Sequence, residues 1–375
     1  MAKRFLLELK NGTAREALNI FLENLLIKER VAAILVPQEH PSGKGIMQSL
    51  VTDPDKVKNA EPFVPFMPVN AAVLISRITK VSPSKRGIAA VLKPCEIRAV
   101  VELAKLKQIN LDNIFLIGTD CIGTYPTVRY EELKASGYST PEGFIKNRDE
   151  AKIDGDIRDA CRICLYPTPI SSDLFVGFLG MDGKDGLLIQ VETEKGERSI
   201  EGIHLKEIHE LHEREGAVAT LLEERRQKRE AILKSTQEEV SGIENLLSFF
   251  APCINCHNCR TVCPVCYCRE CFLDSATFEF EADKYFDWAE KTGSLKMPTD
   301  NLLFHLTRMV HMGSLCVGCG LCQDACPKDI PLGRLFPFIG SKIQKIFEYV
   351  PGRNPDEELP MATFKEEELK EIGYR

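Results

Sequence analysis

Two stretches of the chain repeat one arrangement of cysteines. Residues 253–263 read Cys-Ile-Asn-Cys-His-Asn-Cys-Arg-Thr-Val-Cys and are followed by Pro264; residues 316–326 read Cys-Val-Gly-Cys-Gly-Leu-Cys-Gln-Asp-Ala-Cys and are followed by Pro327. Both are C-x2-C-x2-C-x3-C-P, and each cysteine of the second lies 63 positions after its counterpart in the first. This spacing lets a tight loop wrap three thiolates around one 4Fe–4S cubane while the fourth reaches the other cluster. Cys253, Cys256, Cys259 and Cys326 are therefore expected to hold one cluster, and Cys316, Cys319, Cys322 and Cys263 a second. Structural zinc also uses C-x2-C pairs, but rarely needs two consecutive x2 spacings followed by x3 and a proline, a pattern found here twice. A domain built this way passes single electrons.

Seven cysteines remain. Cys266, Cys268 and Cys271 follow the first run in Pro-Val-Cys-Tyr-Cys-Arg-Glu-Cys. They could tune a cluster, bind another metal, serve as alternative ligands or be small apolar residues. Cys95 stands in Val-Leu-Lys-Pro-Cys-Glu-Ile-Arg and Cys121 in Ile-Gly-Thr-Asp-Cys-Ile-Gly-Thr, each straight after an apolar strand candidate. If those strands are parallel neighbours, both thiols lie at the carboxyl edge of one sheet, where α/β proteins place their ligands. Cys161 and Cys164 form a C-x2-C in Asp-Ala-Cys-Arg-Ile-Cys. Four thiolates are the number a third cubane requires, but spacing alone leaves four structural cysteines as an equal alternative.

These thiols need a frame, and the bulk composition bounds it. The chain has 375 residues, enough for two or three domains, with 44% hydrophobic and 27% charged residues, as in ordinary globular proteins. A net charge of −7 argues against nucleic acid as the main partner. No run of uncharged apolar residues is long enough for a transmembrane helix. The opening Met-Ala-Lys-Arg-Phe-Leu-Leu-Glu puts a glutamate where an export signal needs an apolar core, so a cytoplasmic location is expected. Fifteen cysteines in a reducing compartment point to metal rather than disulfides.

Ala14, Ala17, Leu18, Phe21 and Leu25 recur at helical spacing behind the capping residues Asn11-Gly12-Thr13. Strand candidates follow at 32–36, 71–75, 88–92 and 114–117, with a helical pattern at 96–106 between the last two. The alternation predicts an α/β domain with a mixed or parallel sheet over 1–200. Two more strands are expected at 174–179 and 187–191, joined by Gly180-Met181-Asp182-Gly183. Residues 201–248 are rich in Glu, Lys and Arg and read as a solvated helical linker. Residues 249–350 read as an all-helical two-cluster ferredoxin domain, because Leu302, Leu303, Leu306, Met309 and Val310 mark a helix in the spacer, started by Pro298-Thr299-Asp300. Residues 351–375 form a Pro/Glu-rich tail, mobile or docked on a partner. Pro41-Ser42-Gly43-Lys44-Gly45 lacks the rest of a phosphate loop and reads as an ordinary loop. His204, His209 and His212 read as solvated, and Arg158 could pair with a phosphate or with Asp156.

Pro-Cys-Glu at 94–96, the strand-end Asp-Cys at 120–121, and Cys-Arg-Ile-Cys with the later Ser-Ser-Asp-Leu-Phe-Val-Gly resemble the beta subunits of coenzyme F420-reducing hydrogenases and formate dehydrogenases. The resemblance runs from about Asn11 to Gly340, and Cys-Pro-Val-Cys-Tyr-Cys-Arg-Glu-Cys looks especially like the formate dehydrogenase branch. It implies FAD beside a cubane held by Cys95, Cys121, Cys161 and Cys164, for three 4Fe–4S clusters in all. It also implies that Asn11, Gly12, Thr13, Lys93, Thr119 and Asp173 lie near the flavin, and that coenzyme F420 is the hydride carrier. Partners would be a catalytic formate dehydrogenase or hydrogenase alpha subunit, or heterodisulfide reductase-type subunits. The chain departs from the pattern in having Glu96 where the family commonly has Gln, in lacking the usual double glycine in its first turn, and in lacking a G-x-G-x-x-G fingerprint. Two rival readings are a relay subunit without hydride chemistry and a converter that uses NAD(P)H.

Overall fold

A computed structural model describes residues 3–9, 12–137, 157–181, 186–203, 205–268, 270–360 and 362–363. Asn11, Asp156, Asp182, Gly183 and His204 lie outside these residues.

The first half is built on one eight-stranded mixed sheet. Its strands are β1 (Lys3–Glu8), β2 (Ala33–Glu39), β3 (Ile46–Val51), β4 (Ile88–Leu92), β5 (Ile114–Thr119), β6 (Leu174–Gly177), β7 (Gly186–Val191) and β8 (Lys206–Glu207), in the order β3-β2-β4-β5-β6-β7-β1-β8. β2, β4, β5 and β6 run parallel, with Leu92 opposite Gly118 and Thr119 opposite Val176. The outer pairs, β2–β3, β6–β7, β7–β1 and β1–β8, are antiparallel. β1 therefore points the same way as the parallel core.

Strand alternation splits the apolar residues between the two faces. Ala89, Val91, Phe115 and Ile117 pack with helix α1 (Ala14–Ile27) through Leu18, Phe21, Leu22 and Leu25. Ala90, Leu92, Ile114 and Leu116 pack on the other face with α2 (Ala71–Thr79) and α3 (Pro94–Lys105). Crossovers from β4 and β5 thus deliver their next residues to one carboxyl edge.

The stretch 71–75, expected as a strand, is the first half of α2. Asn70 caps it by accepting the Ala72 N–H, and Glu96 accepts the Ala71 N–H from across the fold. Ala71, Ala72, Ile75 and Thr79 are buried, which is helical spacing in a run too uniformly apolar to show its period. The Pro41–Gly45 loop is the turn of the β2–β3 hairpin, closed by His40 N–H to Gly45 O.

The charged stretch is helical, as α5 (His212–Val240) and a short helix Ile243–Phe249, but it is not simply solvated. Arg214, Leu221, Arg225 and Thr236 are buried. Arg225 donates to Ile122 O and Cys164 O, and Arg229 to Ile163 O, so the helix straps the loops that carry the sheet-edge cysteines. Beyond it the chain is helical, chiefly α6 (Asn301–Gly313) and α7 (Leu332–Ile346), both at the expected places. Residues 349–353 dock on the chain's own α3. Tyr349 Oη donates to Glu102, Gly352 N–H donates to the same carboxylate at 2.7 Å, and Arg98 donates to Pro351 O at 2.7 Å.

Candidate functional site

Each cysteine run coils into a short loop and one helical turn. His257 and Gly320 take the left-handed conformation where the turns Asn258–Thr261 and Leu321–Asp324 begin. The two loops build two cavities, and each borrows a wall from the other run. One cavity is lined by Cys253, Cys256, Cys259 and Cys326. The other is lined by Cys263, Cys316, Cys319 and Cys322. These are the two groupings expected from the repeat.

Among the described residues, no three cysteine, histidine or carboxylate groups meet closely enough to hold a single metal ion. Four thiols around the walls of a cavity suit a bulkier cubane, whose sulfur ligands stand further apart than those of one zinc ion. Burial pushes the thiols of Cys259 and Cys316 up to about 11 and that of Cys319 to about 12, and raises Cys322 well above the usual range. Without metal these thiols stay protonated, and iron must displace the protons.

Three of the four sheet-edge cysteines come together. Cys95 is the second residue of α3, Cys121 follows β5, and Cys161 sits in a short helix, α4 (Asp159–Arg162). Cys95 is partly buried, and its thiol is raised by desolvation and by the neighbouring charges of Cys319, Glu96, Cys121 and Cys161. Cys164 lines the adjoining cleft with Arg98, Tyr166, Arg229 and Cys316, and its sulfur accepts the Tyr166 N–H at 3.4 Å. The cleft beside Cys164 shares Cys316, Val317 and Gly318 with the second cavity, so the sheet-edge thiols lie next to it.

The residues expected near a flavin separate into two groups. Lys93 and Thr119 are buried at the carboxyl ends of β4 and β5, and the Lys93 charge bears on both Cys121 and Glu96. Gly12 and Thr13 open α1 on the same sheet edge, but Thr13 is occupied in a capping box with Glu16. Asp173 lies at the amino end of β6, away from Lys93 and Thr119. Its carboxylate accepts Leu116 N–H at 2.8 Å and Thr193 Oγ1–H at 2.6 Å, which makes it a structural staple. A flavin fits Lys93 and Thr119 by chemistry; Thr13 and Asp173 have their polar groups engaged elsewhere. Glu96 accepts both Ala71 and Lys93 N–H, and burial raises its carboxyl above the ordinary range.

Four further residues mark the site and were not singled out from sequence in these roles. Arg158 pairs with Asp324 at 2.7 Å and donates to Met67 O, joining the sheet-edge loop to the second cysteine run. Arg98 donates to Val317 O at 3.0 Å and lies over the Tyr166 ring. His305 Nε2 stands 3.3 Å from Cys253 Sγ, and Arg308 donates to Cys259 O. The available signal for the last two was a histidine and an arginine three residues apart in the apolar stripe of α6.

A mixed α/β sheet with thiols at its edge, fused to a loop-and-helix unit with two cysteine-lined cavities, defines an iron–sulfur electron-transfer subunit. Residues 85–217 match the C-terminal family of coenzyme F420 hydrogenase/dehydrogenase beta subunits, and residues 310–331 match the 4Fe-4S binding domain. The chain is 34% identical over 314 residues to the F420-dependent formate dehydrogenase 1 subunit beta of Methanococcus maripaludis, spanning 73% of this chain and 75% of that one. It is 27% identical over 384 residues to the F420-dependent formate dehydrogenase subunit beta of Methanocaldococcus jannaschii, spanning 94% and 95% of the two chains. Among solved structures, a chain of the F420-reducing [NiFe] hydrogenase complex of Methanosarcina barkeri aligns with a TM-score of 0.44 at 13% identity, over 65% of this chain and 93% of that one; a likeness this loose carries no argument. The chain belongs to the coenzyme F420 hydrogenase/dehydrogenase beta-subunit family and carries a 4Fe–4S ferredoxin domain. Among the described residues no helix is long and apolar enough to cross a membrane.

Proposed function

We propose that this chain passes electrons between a hydride carrier, coenzyme F420 acting through FAD, and three 4Fe–4S clusters that lead to a partner redox subunit in the cytoplasm. The observation that carries the reading is a cleft shared by the two cysteine regions: Cys164 of the sheet edge and Cys316 of the ferredoxin unit line it together. Two cofactor regions of unrelated fold have no structural need to lie side by side, whereas electron transfer requires short distances.

Bound flavin supplies the junction between two-electron hydride chemistry and one-electron clusters. Lys93 and Thr119 would hold it beside Cys121. Cys95, Cys121 and Cys161, with Cys164 nearby, would ligate the first cluster; Cys263, Cys316, Cys319 and Cys322 the second; Cys253, Cys256, Cys259 and Cys326 the third. This order follows the contacts, from the buried sheet edge outward to the cavity that holds the exposed Cys256. Arg158 and Arg98 keep the first two sets in register. The partner is a catalytic formate dehydrogenase or hydrogenase alpha subunit, or a heterodisulfide reductase-type subunit, in keeping with the beta-subunit names of the relatives.

A relay without hydride chemistry is the second reading, favoured by the engaged groups of Thr13 and Asp173. Anaerobic purification with iron, acid-labile sulfide and flavin counted per chain separates the two. About twelve irons and one flavin support the converter, given four irons per cubane, and about eight irons without flavin leave a two-cluster relay. Reduction assays with coenzyme F420 and with NAD(P)H then identify the carrier.

A further inference from the structure

Helix α6 turns two polar side chains into the core between the cysteine cavities. Arg308 is 4% exposed. One Nη2–H donates to Cys259 O at 3.1 Å, the Phe336 ring centroid lies 4.4 Å from the guanidinium carbon, and Nε and Nη1 have no partner. Among the described residues no carboxylate pairs with it. Arg308 lines the cavity of Cys263, Cys316, Cys319 and Cys322, and its charge also bears on Cys259 of the other set.

A buried guanidinium without a counter-charge is strongly unfavourable, so the fold must supply the anion from elsewhere. An oxidised 4Fe–4S cubane with four thiolates is a dianion, and one-electron reduction makes it a trianion. Net charge around a cluster is one of the factors that set its potential. We propose that Arg308 is the shared counter-cation of the two ferredoxin clusters, stabilising the reduced form of each and holding both potentials up together. The inference rests on the reading that the two cavities hold cubanes.

His305 provides an internal comparison. Its ring stacks on Phe250 with centroids 3.9 Å apart, and among the described residues its Nε2 meets Cys253 alone, so it belongs to one cluster. As a positioning residue Arg308 acts on both clusters, and His305 on one.

The test is an EPR-monitored redox titration of the full chain, with iron counted for each variant. Arg308→Gln is expected to keep both clusters and to disfavour reduction of each at least tenfold, a fall of about 59 mV for each tenfold in a one-electron couple. Arg308→Lys, which keeps the charge, is expected to stay near the wild-type potentials, and His305→Phe to move only one cluster. Unmoved potentials in an iron-replete Arg308→Gln protein would overturn the inference while leaving the cluster reading intact. Loss of iron in the Gln and Lys variants alike would also overturn it, because the shape of the guanidinium and its hydrogen bond to Cys259 O, not its charge, would then be the essential part. A wild-type protein without two interacting cubane signals would remove the underlying reading as well.

Discussion

Asp120 shows how the residue beside a candidate ligand is held in place. Its carboxylate accepts the Phe178 and Leu179 N–H groups and a two-pronged contact from Arg214, at 2.6 and 2.9 Å, all in the interior. Replacing Arg214 with Met leaves that carboxylate buried and short of its counter-charge, and should cost about 3–5 kcal/mol in denaturant unfolding. Cys121 follows Asp120 directly, so iron content should fall in the same variant. Cys95→Ser should remove about four irons per chain, while Cys268→Ser, at an exposed thiol outside the three sets, should leave the count unchanged. The two cysteine groupings that line the cavities are legible because they follow from a short repeated spacing. Arg158, Arg98, His305 and Arg308 were not, because each acts on a group more than forty positions away in the chain, and local sequence holds no record of the partner.

At the level of elements, α3 joins the two halves. Its first turn carries Cys95 and Glu96, its middle sends Arg98 to Val317 O, and Glu102 receives Tyr349 and Gly352. Glu102 is fully buried with Lys105 at 3.4 Å. Glu102→Ala should therefore cost about 3–5 kcal/mol and expose the chain beyond residue 348 to protease, read by limited digestion. Gly320 marks the other contact. Its φ of +75° and the 2.9 Å that would separate an added Cβ from Ala160 leave no room for a side chain. Gly320→Ala should keep the iron count yet slow electron exchange between the sheet-edge set and the second cavity, measured by rapid-mixing reduction. The parallel strands and the helices of the second half were readable from period and caps. Helix α2 reads as a strand in sequence because its cap partners include Glu96, 25 residues on; β1 and β3 are short, partly exposed strands beside stronger signals.

For the whole molecule, the two halves differ in what holds them together. The sheet has two broad apolar faces, each with its own layer of helix. The core of the second half counts Cys253, Cys316, Cys322 and Cys326 among its packing partners. Stripping iron with a chelator should therefore loosen residues 249–350 first, seen as faster amide exchange there while the central strands stay protected. The sequence shows no sign of the interlocking between these halves. Residues 201–248 read as a solvated linker from their polar composition, whereas buried Arg214 and Arg225 tie them to Asp120 and Ile122 at the sheet edge, and Tyr349 and Gly352 tie the later segment to α3.

The exchange of walls between the two cysteine cavities also has a meaning in time. A ribosome releases Cys253, Cys256 and Cys259 well before Cys326, which lines the same cavity, and Cys263 waits for Cys316, Cys319 and Cys322. Neither run can enclose a cavity by itself. Metallation of this half is thus a task for the completed polypeptide, and any product ending between the two runs is left with three thiols in search of a fourth.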